Sequence, residues 1–198
     1  MKKIIIGIFL IFYLLESQYV HGMTLTPNQR LFKAIENRNI NDVAITIESN
    51  ANVNFKNSLG ETSLHIAVWN DSIDIVRLLI KSEANINSQN KTNLTPLHYA
   101  VLRDEQYIAE LLIIKGANIN AIDKDGKTPL HLAIEIKSLE MVELLISRGA
   151  NVEINCPISN KTPLDLIYIN LEDDEIDIIE PYLRQRSHNK QSCSCIVM

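Results

Sequence analysis

The chain has 198 residues, a formal net charge of −5 at pH 7, 46% hydrophobic residues and 22% charged residues. This length allows one domain with a buried core, or two small ones, and the composition is that of a folded protein rather than a disordered one. Because the chain is acidic, it should repel nucleic acid phosphates, and we expect no nucleic acid partner.

The first segment of the chain has the pattern of an export signal. Lys2 and Lys3 precede an apolar run that extends from residue 4 to residue 15. As a helix this run would rise about 18 Å, which is short of the roughly 30 Å hydrocarbon core of a membrane. The alternative, a buried N-terminal helix, should show a polar face, which the run lacks. We therefore predict a signal peptide over residues 1–22, cleaved after Gly22, then a short linker over residues 23–28, and a secreted protein.

The rest of the chain repeats with a period of 33 residues. The segments "GETSLHIAVWN", "NLTPLHYAVLR" and "GKTPLHLAIEI" align on their threonines, which are Thr62, Thr95 and Thr128. A fourth copy, "NKTPLDLIYIN", carries Thr162 one residue late, and an upstream segment over residues 29–54 matches the pattern without its turn. A fixed period of this length is typical of a repeat architecture.

Each copy predicts two helices joined by a short turn. The threonine stands where a helix N-cap is favoured, and Pro96 and Pro129 follow at the first helical position, where a missing N–H costs nothing. Apolar residues then recur at helical spacing, and after a polar break a second apolar helix ends at Gly116 or Gly149, where a left-handed residue is favoured. Each helix pair buries one face against the next pair, so the array is a solenoid.

This pattern resembles the ankyrin repeat. The matching features are Thr-Pro-Leu-His-x-Ala, a Leu-Leu pair and Gly-Ala-Asn, which together cover residues 29–183. The resemblance implies an all-α repeat fold, a solenoid of helix-turn-helix units with short β-hairpin loops. It implies about five repeats, at residues 29–54, 55–87, 88–120, 121–153 and 154–183. It also implies a structural capping role for Thr62, His65, Thr95, His98, Thr128, His131 and Thr162.

The three recurring histidines allow two interpretations. They could serve a metal site or acid-base catalysis, but zinc ligands converge at close spacing, and the chain has no His-x-x-x-His or Cys-x-x-Cys pair. One histidine per repeat beside the capping threonine indicates a structural role, and in ankyrin-like units it bonds locally and bridges neighbouring loops. The chain also lacks a phosphate-binding glycine loop and a Gly-x-Ser-x-Gly turn. We therefore predict no enzyme activity, no catalytic residue, no metal and no cofactor.

The resemblance also implies where a partner binds. Ankyrin repeats bind proteins through the loop tips and the exposed end of the first helix, which together line a concave face. At these positions the chain has apolar residues around its only tryptophan, edged by charged residues, which is typical of a protein interface. The alternatives are that these side chains pack on the adjacent loop or that the N-terminal tail covers them. The predicted partner-binding residues are Leu59, Trp69, Lys91, Leu94, Leu102, Arg103, Lys124, Asp125 and Ile136.

The end of the chain carries a lipidation motif. Residues 184–198 are polar and without period, so we predict a flexible tail. The final "CIVM" places Cys195 where eukaryotic enzymes attach a prenyl group, and Cys193 lies where a palmitoyl group would strengthen the attachment. The alternative is that both cysteines are unmodified or are paired with each other.

An export signal and a prenylation motif act in different compartments. An ankyrin-repeat protein that carries both resembles the secreted effectors of bacteria that live inside eukaryotic cells. We therefore predict a monomeric, non-catalytic scaffold that binds one or more host proteins and is tethered to a host membrane through Cys195. The alternative is a periplasmic or extracellular binding module that is never lipidated.

Overall fold

The computed structural model describes the backbone of residues 25–193 and the side chains of residues 25–184. This part of the chain contains ten helices, arranged as five consecutive pairs. The pairs are α1 (Pro27–Glu36) with α2 (Ile40–Glu48), α3 (Ser63–Trp69) with α4 (Ile73–Lys81), α5 (Pro96–Leu102) with α6 (Gln106–Ile114), α7 (Pro129–Glu135) with α8 (Leu139–Ser147), and α9 (Pro163–Asn170) with α10 (Asp173–Cys193).

The pairs stack into one continuous solenoid. The first helix of each pair packs against the first helix of the next, along the series α1, α3, α5, α7 and α9, and in the first four pairs the second helix packs on the first. Fully buried leucines recur at the period of the repeat: Leu64, Leu97 and Leu130 in the first helices, and Leu79, Leu112 and Leu145 in the second. Each such side chain stabilises the fold by about 2 kcal/mol. The predicted all-α repeat solenoid is confirmed.

The first helix of every pair begins with the same local structure. A threonine N-cap shares a capping box with the third helical residue, so two backbone N–H groups that the helix cannot bond internally are satisfied. In four of the five helices a proline follows the threonine. The N-cap and its partner are Thr26 with Gln29, Thr62 with His65, Thr95 with His98, Thr128 with His131, and Thr162 with Asp165.

The loops between the pairs are tight turns. We call them fingers: finger 1 is residues 57–61, finger 2 is 90–94, finger 3 is 123–127 and finger 4 is 156–161. One backbone bond of 2.9–3.0 Å from the first residue's N–H to the last residue's carbonyl closes each finger. A single closing bond makes no strand ladder, so the predicted β-hairpin loops are turns, and the described residues contain only one isolated bridge, between Cys156 and Lys161.

A ladder of asparagines ties each repeat to the next. The Asn87 side chain accepts from the backbone N–H of Asn118 at 2.7 Å and donates to the Gly116 carbonyl at 3.0 Å. Asn54 makes the same two bonds one repeat earlier, and Asn120 accepts the corresponding N–H of Asn151. Such bonds satisfy the unpaired carbonyls and N–H groups that follow each second helix. The recurring "ANIN" segments therefore have a structural use that we did not predict.

Both ends of the repeat domain differ from the prediction. We predicted a linker over residues 23–28, but α1 begins at Pro27, because Thr26 is its N-cap and accepts from the Gln29 N–H at 3.2 Å. We predicted a flexible tail from residue 184, but the backbone of α10 stays helical through Cys193. The predicted signal peptide and Cys195 lie outside the described residues. Among the helices that are described, none combines the length and apolar character needed to cross a membrane.

Candidate functional site

The three repeat histidines are buried and fully engaged in local hydrogen bonds. In the first of them, His65, Nδ1 accepts from the Thr62 N–H at 3.1 Å, which leaves the proton on Nε2. Nε2 donates to the Leu94 carbonyl at 3.0 Å, so the ring joins its own helix to finger 2. His98 and His131 make the equivalent bonds, with Nε2 reaching the carbonyls of Lys127 and Lys161 at 3.4 and 3.3 Å.

Burial keeps these imidazoles neutral. Desolvation lowers the pKa of His65 and of His131 below the ordinary 6.5, and it lowers the pKa of His98 to about 4. A ring whose two nitrogens are both bonded has no lone pair left for a metal or a substrate. Among the described residues, no group of His, Cys, Asp or Glu side chains could hold a metal ion.

Four of the predicted partner-binding residues are large apolar side chains that stay exposed. We call them the concave row, after the face on which the ankyrin resemblance places them: Leu59 in finger 1, Trp69 at the end of α3, Leu102 at the end of α5 and Ile136 just after α7. Their exposed fractions are 60%, 46%, 39% and 39%. Leu94 does not belong to the row, because its side chain is half-buried and packs against the core.

Trp69 contacts an aromatic ring and a guanidinium group. The Tyr99 ring meets the Trp69 ring edge to face, with 5.7 Å between centroids, and it meets the His65 ring in the same way at 5.2 Å. The Arg103 guanidinium carbon lies 5.1 Å from the centroid of the Trp69 ring, within the range of a cation–π contact. Aromatic pairs and cation–π contacts of this kind each stabilise by about 1 kcal/mol. The tryptophan is therefore held in one orientation before any partner arrives.

Tyr99 fixes this group to two fingers. Its hydroxyl donates to a carboxylate oxygen of Glu61 in finger 1, and it accepts from the Asn90 side chain of finger 2 at 3.1 Å. Burial, with a further contribution from the Glu61 carboxylate, raises the pKa of Tyr99 well above its usual value. We did not predict this residue as part of the site. One feature of the sequence could have indicated it: the neighbouring copies have aliphatic residues, Ile66 and Leu132, at the position of Tyr99.

Charged residues edge the concave row. Lys91 of finger 2 and both Lys124 and Asp125 of finger 3, which we predicted to bind a partner, are exposed. Lys127 and Glu135 instead form an ion pair at 2.7 Å. Because both partners are partly exposed, this pair contributes less than about 1 kcal/mol to stability.

Comparison with known proteins identifies the family. The family model for ankyrin repeats in three copies matches residues 9–90, 31–123, 82–157 and 108–170. The chain belongs to the ankyrin-repeat family. Ankyrin repeats indicate a protein–protein interaction module, and ankyrin-repeat proteins are generally non-catalytic scaffolds. No curated protein matches this ankyrin-repeat chain.

Proposed function

We propose that this ankyrin-repeat protein is a non-catalytic scaffold that binds a protein partner on the concave row. The observation that supports it is the row itself: four large apolar side chains from three consecutive repeats stay at least 39% exposed, at positions where the fold would also accept polar residues. Exposed apolar side chains grouped around a tryptophan are characteristic of binding hot spots. The bonds of Tyr99 to two fingers reduce the conformational entropy that binding would otherwise cost.

The double substitution Trp69→Ala and Leu102→Ala should remove partner binding while the chain stays folded. Both side chains are only partly buried, so we expect the free energy of unfolding to fall by about 2 kcal/mol and the affinity for the partner to fall about a hundredfold. The measurement is a titration with a partner purified by affinity capture on the wild-type chain, alongside urea unfolding of each variant.

The outer face offers a matched control. Tyr107 and Ile114 lie on α6 and are 79% and 62% exposed, so the double substitution Tyr107→Ala and Ile114→Ala removes a comparable apolar area away from the concave row. The control should bind as wild type does. If it loses affinity equally, or if the concave variant loses binding only in proportion to a loss of folded protein, the proposal is wrong.

We further propose that the protein is exported and then tethered to a host membrane, where it sequesters or recruits a host protein. This part rests on the signal-like residues 1–22 and on the prenylation motif at Cys195, with Cys193 as a candidate second lipidation site. A single prenyl chain anchors only marginally, so the second lipid would make the attachment durable. In this proposal the lipids display the concave row at the membrane surface.

The lipid attachment has a direct test. The chain from Met23, expressed in eukaryotic cells, should sediment with membranes, and Cys195→Ser should move most of it to the cytosol. Cys156→Ser is the control, because Cys156 is buried in finger 4 and should not affect localisation. If wild type and Cys195→Ser fractionate alike, the protein is instead the unlipidated periplasmic or extracellular module. Sequencing the N-terminus of the protein from its native cell tests cleavage after Gly22.

A further inference from the structure

His65 is connected to Trp69 by two routes that both pass through Tyr99. The His65 ring meets the Tyr99 ring edge to face at 5.2 Å between centroids, and Tyr99 meets Trp69 in the same way at 5.7 Å. Nδ1 of His65 also accepts from the N–H of Thr62, which directly follows Glu61 in finger 1. The Glu61 carboxylate accepts from the Tyr99 hydroxyl. A change at the His65 ring therefore reaches the tryptophan through packing and through hydrogen bonds.

The other two repeat histidines lack this connection. At the position where Tyr99 faces His65, the following repeats carry aliphatic side chains, namely Leu132 and Leu166. Within the described part of the chain, the contact with Tyr99 is the one aromatic contact that a repeat histidine makes. Trp69 is therefore coupled to one histidine of the three, and the other two provide matched controls.

A proton on the His65 ring conflicts with the bonds that the ring makes. Nδ1 can accept the Thr62 N–H only while it is unprotonated, because both nitrogens of an imidazolium are donors. The Thr62 hydroxyl lies 2.9 Å from Nδ1 and could accept the new proton, but the Thr62 N–H then loses its acceptor and faces a second donor. The capping box of α3 must open to relieve this conflict, which frees Glu61 at the end of finger 1 to move away from Tyr99.

The titratable groups that face His65 do not remove this conflict. The nearby Glu61 carboxylate favours a proton on the ring and Lys56 opposes it, but burial has the largest effect and lowers the pKa of His65 below 6.5. On the neighbouring helix α5, Tyr99 stays neutral because burial raises its pKa, and a charge on His98 opposes a charge on His65. The closed structure therefore favours the neutral ring.

We propose that His65 is a proton-sensitive residue that holds Trp69 in place while its ring is neutral and releases the tryptophan in mild acid. An opened ring takes up a proton at its ordinary pKa, so at about pH 5 the opened form gains up to about thirtyfold on the closed form. Minor states of folded proteins are populated at about 0.1–10%, so such a gain makes the opened form a large share of the molecules. Release also weakens partner binding, and this consequence rests on the proposed function.

The test of Trp69 release needs no partner, because the chain has only one tryptophan. Acrylamide quenching of its fluorescence is measured on the full chain from about pH 7.5 to about pH 5, with far-UV circular dichroism at each pH. Trp69 is 46% exposed, so its release should raise quenching by up to about twofold while the helical signal persists. Loss of the helical signal in step with the rise in quenching would indicate unfolding of the whole domain and would overturn the proposal.

His65→Gln should abolish this acid response. Gln29 makes the same capping box in the first repeat, so the variant keeps the start of α3 but has no titrating ring. His131→Gln is the matched control, because it alters the equivalent bonds two repeats away and should respond as wild type does. A response that survives in His65→Gln would overturn the proposal. It would instead point to Glu105, whose pKa is raised by burial and by a neighbouring carboxylate and which interacts electrostatically with Arg103.

Tyr99→Leu tests the same coupling without a change at any histidine. Leucine occupies this position in the next two repeats, so the fold accepts it, but the variant loses the ring between His65 and Trp69 and the bonds to Glu61 and Asn90. We expect raised quenching already at about pH 7.5 and little further change on acidification. Quenching equal to that of wild type at every pH would mean that Tyr99 does not hold the tryptophan, and the proposal would be wrong.

Discussion

Acidification from about pH 7.5 to about pH 4.5 is expected to lower the free energy of unfolding by roughly 2–3 kcal/mol through His98 alone. His98 is fully buried and bonded at both ring nitrogens, and burial lowers its pKa from 6.5 to about 4. A marginally stable domain of this size can lose much of its stability by such a change. The measurement is the midpoint of urea unfolding at a series of pH values.

The sign of this effect follows from proton uptake. The unfolded chain protonates His98 as the pH falls through 6.5, whereas the folded chain resists protonation until about pH 4. Between these values the unfolded state binds the extra proton, so stability falls as the pH falls. The contribution is fully present above about pH 6.5 and is lost toward pH 4. His65 and His131 have lowered pKa values for the same reason and add to the loss with the same sign.

The chain itself provides the matched substitution. Gln29 occupies the position of His98 in the first repeat, where its side-chain oxygen accepts from the Thr26 N–H at 2.9 Å. His98→Gln should therefore keep the capping box while it removes the titrating group and the bond to finger 3. We expect a lower stability at pH 7.5 and a shallower decline between pH 6.5 and pH 4.5. An unchanged slope would mean that His98 is not the source of the acid sensitivity.

The repeat architecture could be predicted because the residues at the ends of each helix are typical of helix termini. Thr95, Pro96 and Gly116 are local signals, and their physical effects do not depend on the rest of the fold. The same signals recur every 33 residues, and this recurrence predicts the repeat architecture although the pattern of any one copy would not. Leu59, Trp69, Leu102 and Ile136 were selected by mapping the ankyrin resemblance onto the chain, and the structure places all four at the surface.

The features that were missed depend on contacts between repeats. Tyr99 bonds Glu61 across 38 positions, and nothing local in either residue predicts that contact. The asparagine ladder also joins residues of different repeats, so its bonds could not be read from one copy. Leu94 was predicted to bind a partner because it lies at a loop position where the ankyrin resemblance places binding, but its side chain is half-buried and packs against the core. At the start of the domain, Asn28-Gln29 differs from the Leu-His of the three central copies, so the first capping box was not recognised in the sequence.

Gly126→Ala is expected to destabilise the protein by at least about 3 kcal/mol. Gly126 lies in finger 3 with φ +80°, and a Cβ added there would come within 2.4 Å of the Pro157 Cδ in finger 4. That atom belongs to a ring closed on the backbone, so it cannot turn aside as the end of a flexible side chain would. Relief of the clash requires fingers 3 and 4 to move apart, which weakens the stacking of the last repeat.

Gly116→Ala separates the two causes of this loss, which are the clash of the new Cβ with Pro157 and the left-handed backbone conformation. Gly116 follows α6 with φ +93°, and a Cβ added there meets nothing within 4 Å. The only cost of alanine at this position is then the left-handed backbone conformation, which destabilises a residue with a Cβ by about 1–2 kcal/mol. Urea unfolding of both variants should show Gly126→Ala as the more destabilised by at least about 1 kcal/mol. Equal losses would mean that fingers 3 and 4 are not in close contact, and the solenoid would then be more open at its C-terminal end than its packing indicates.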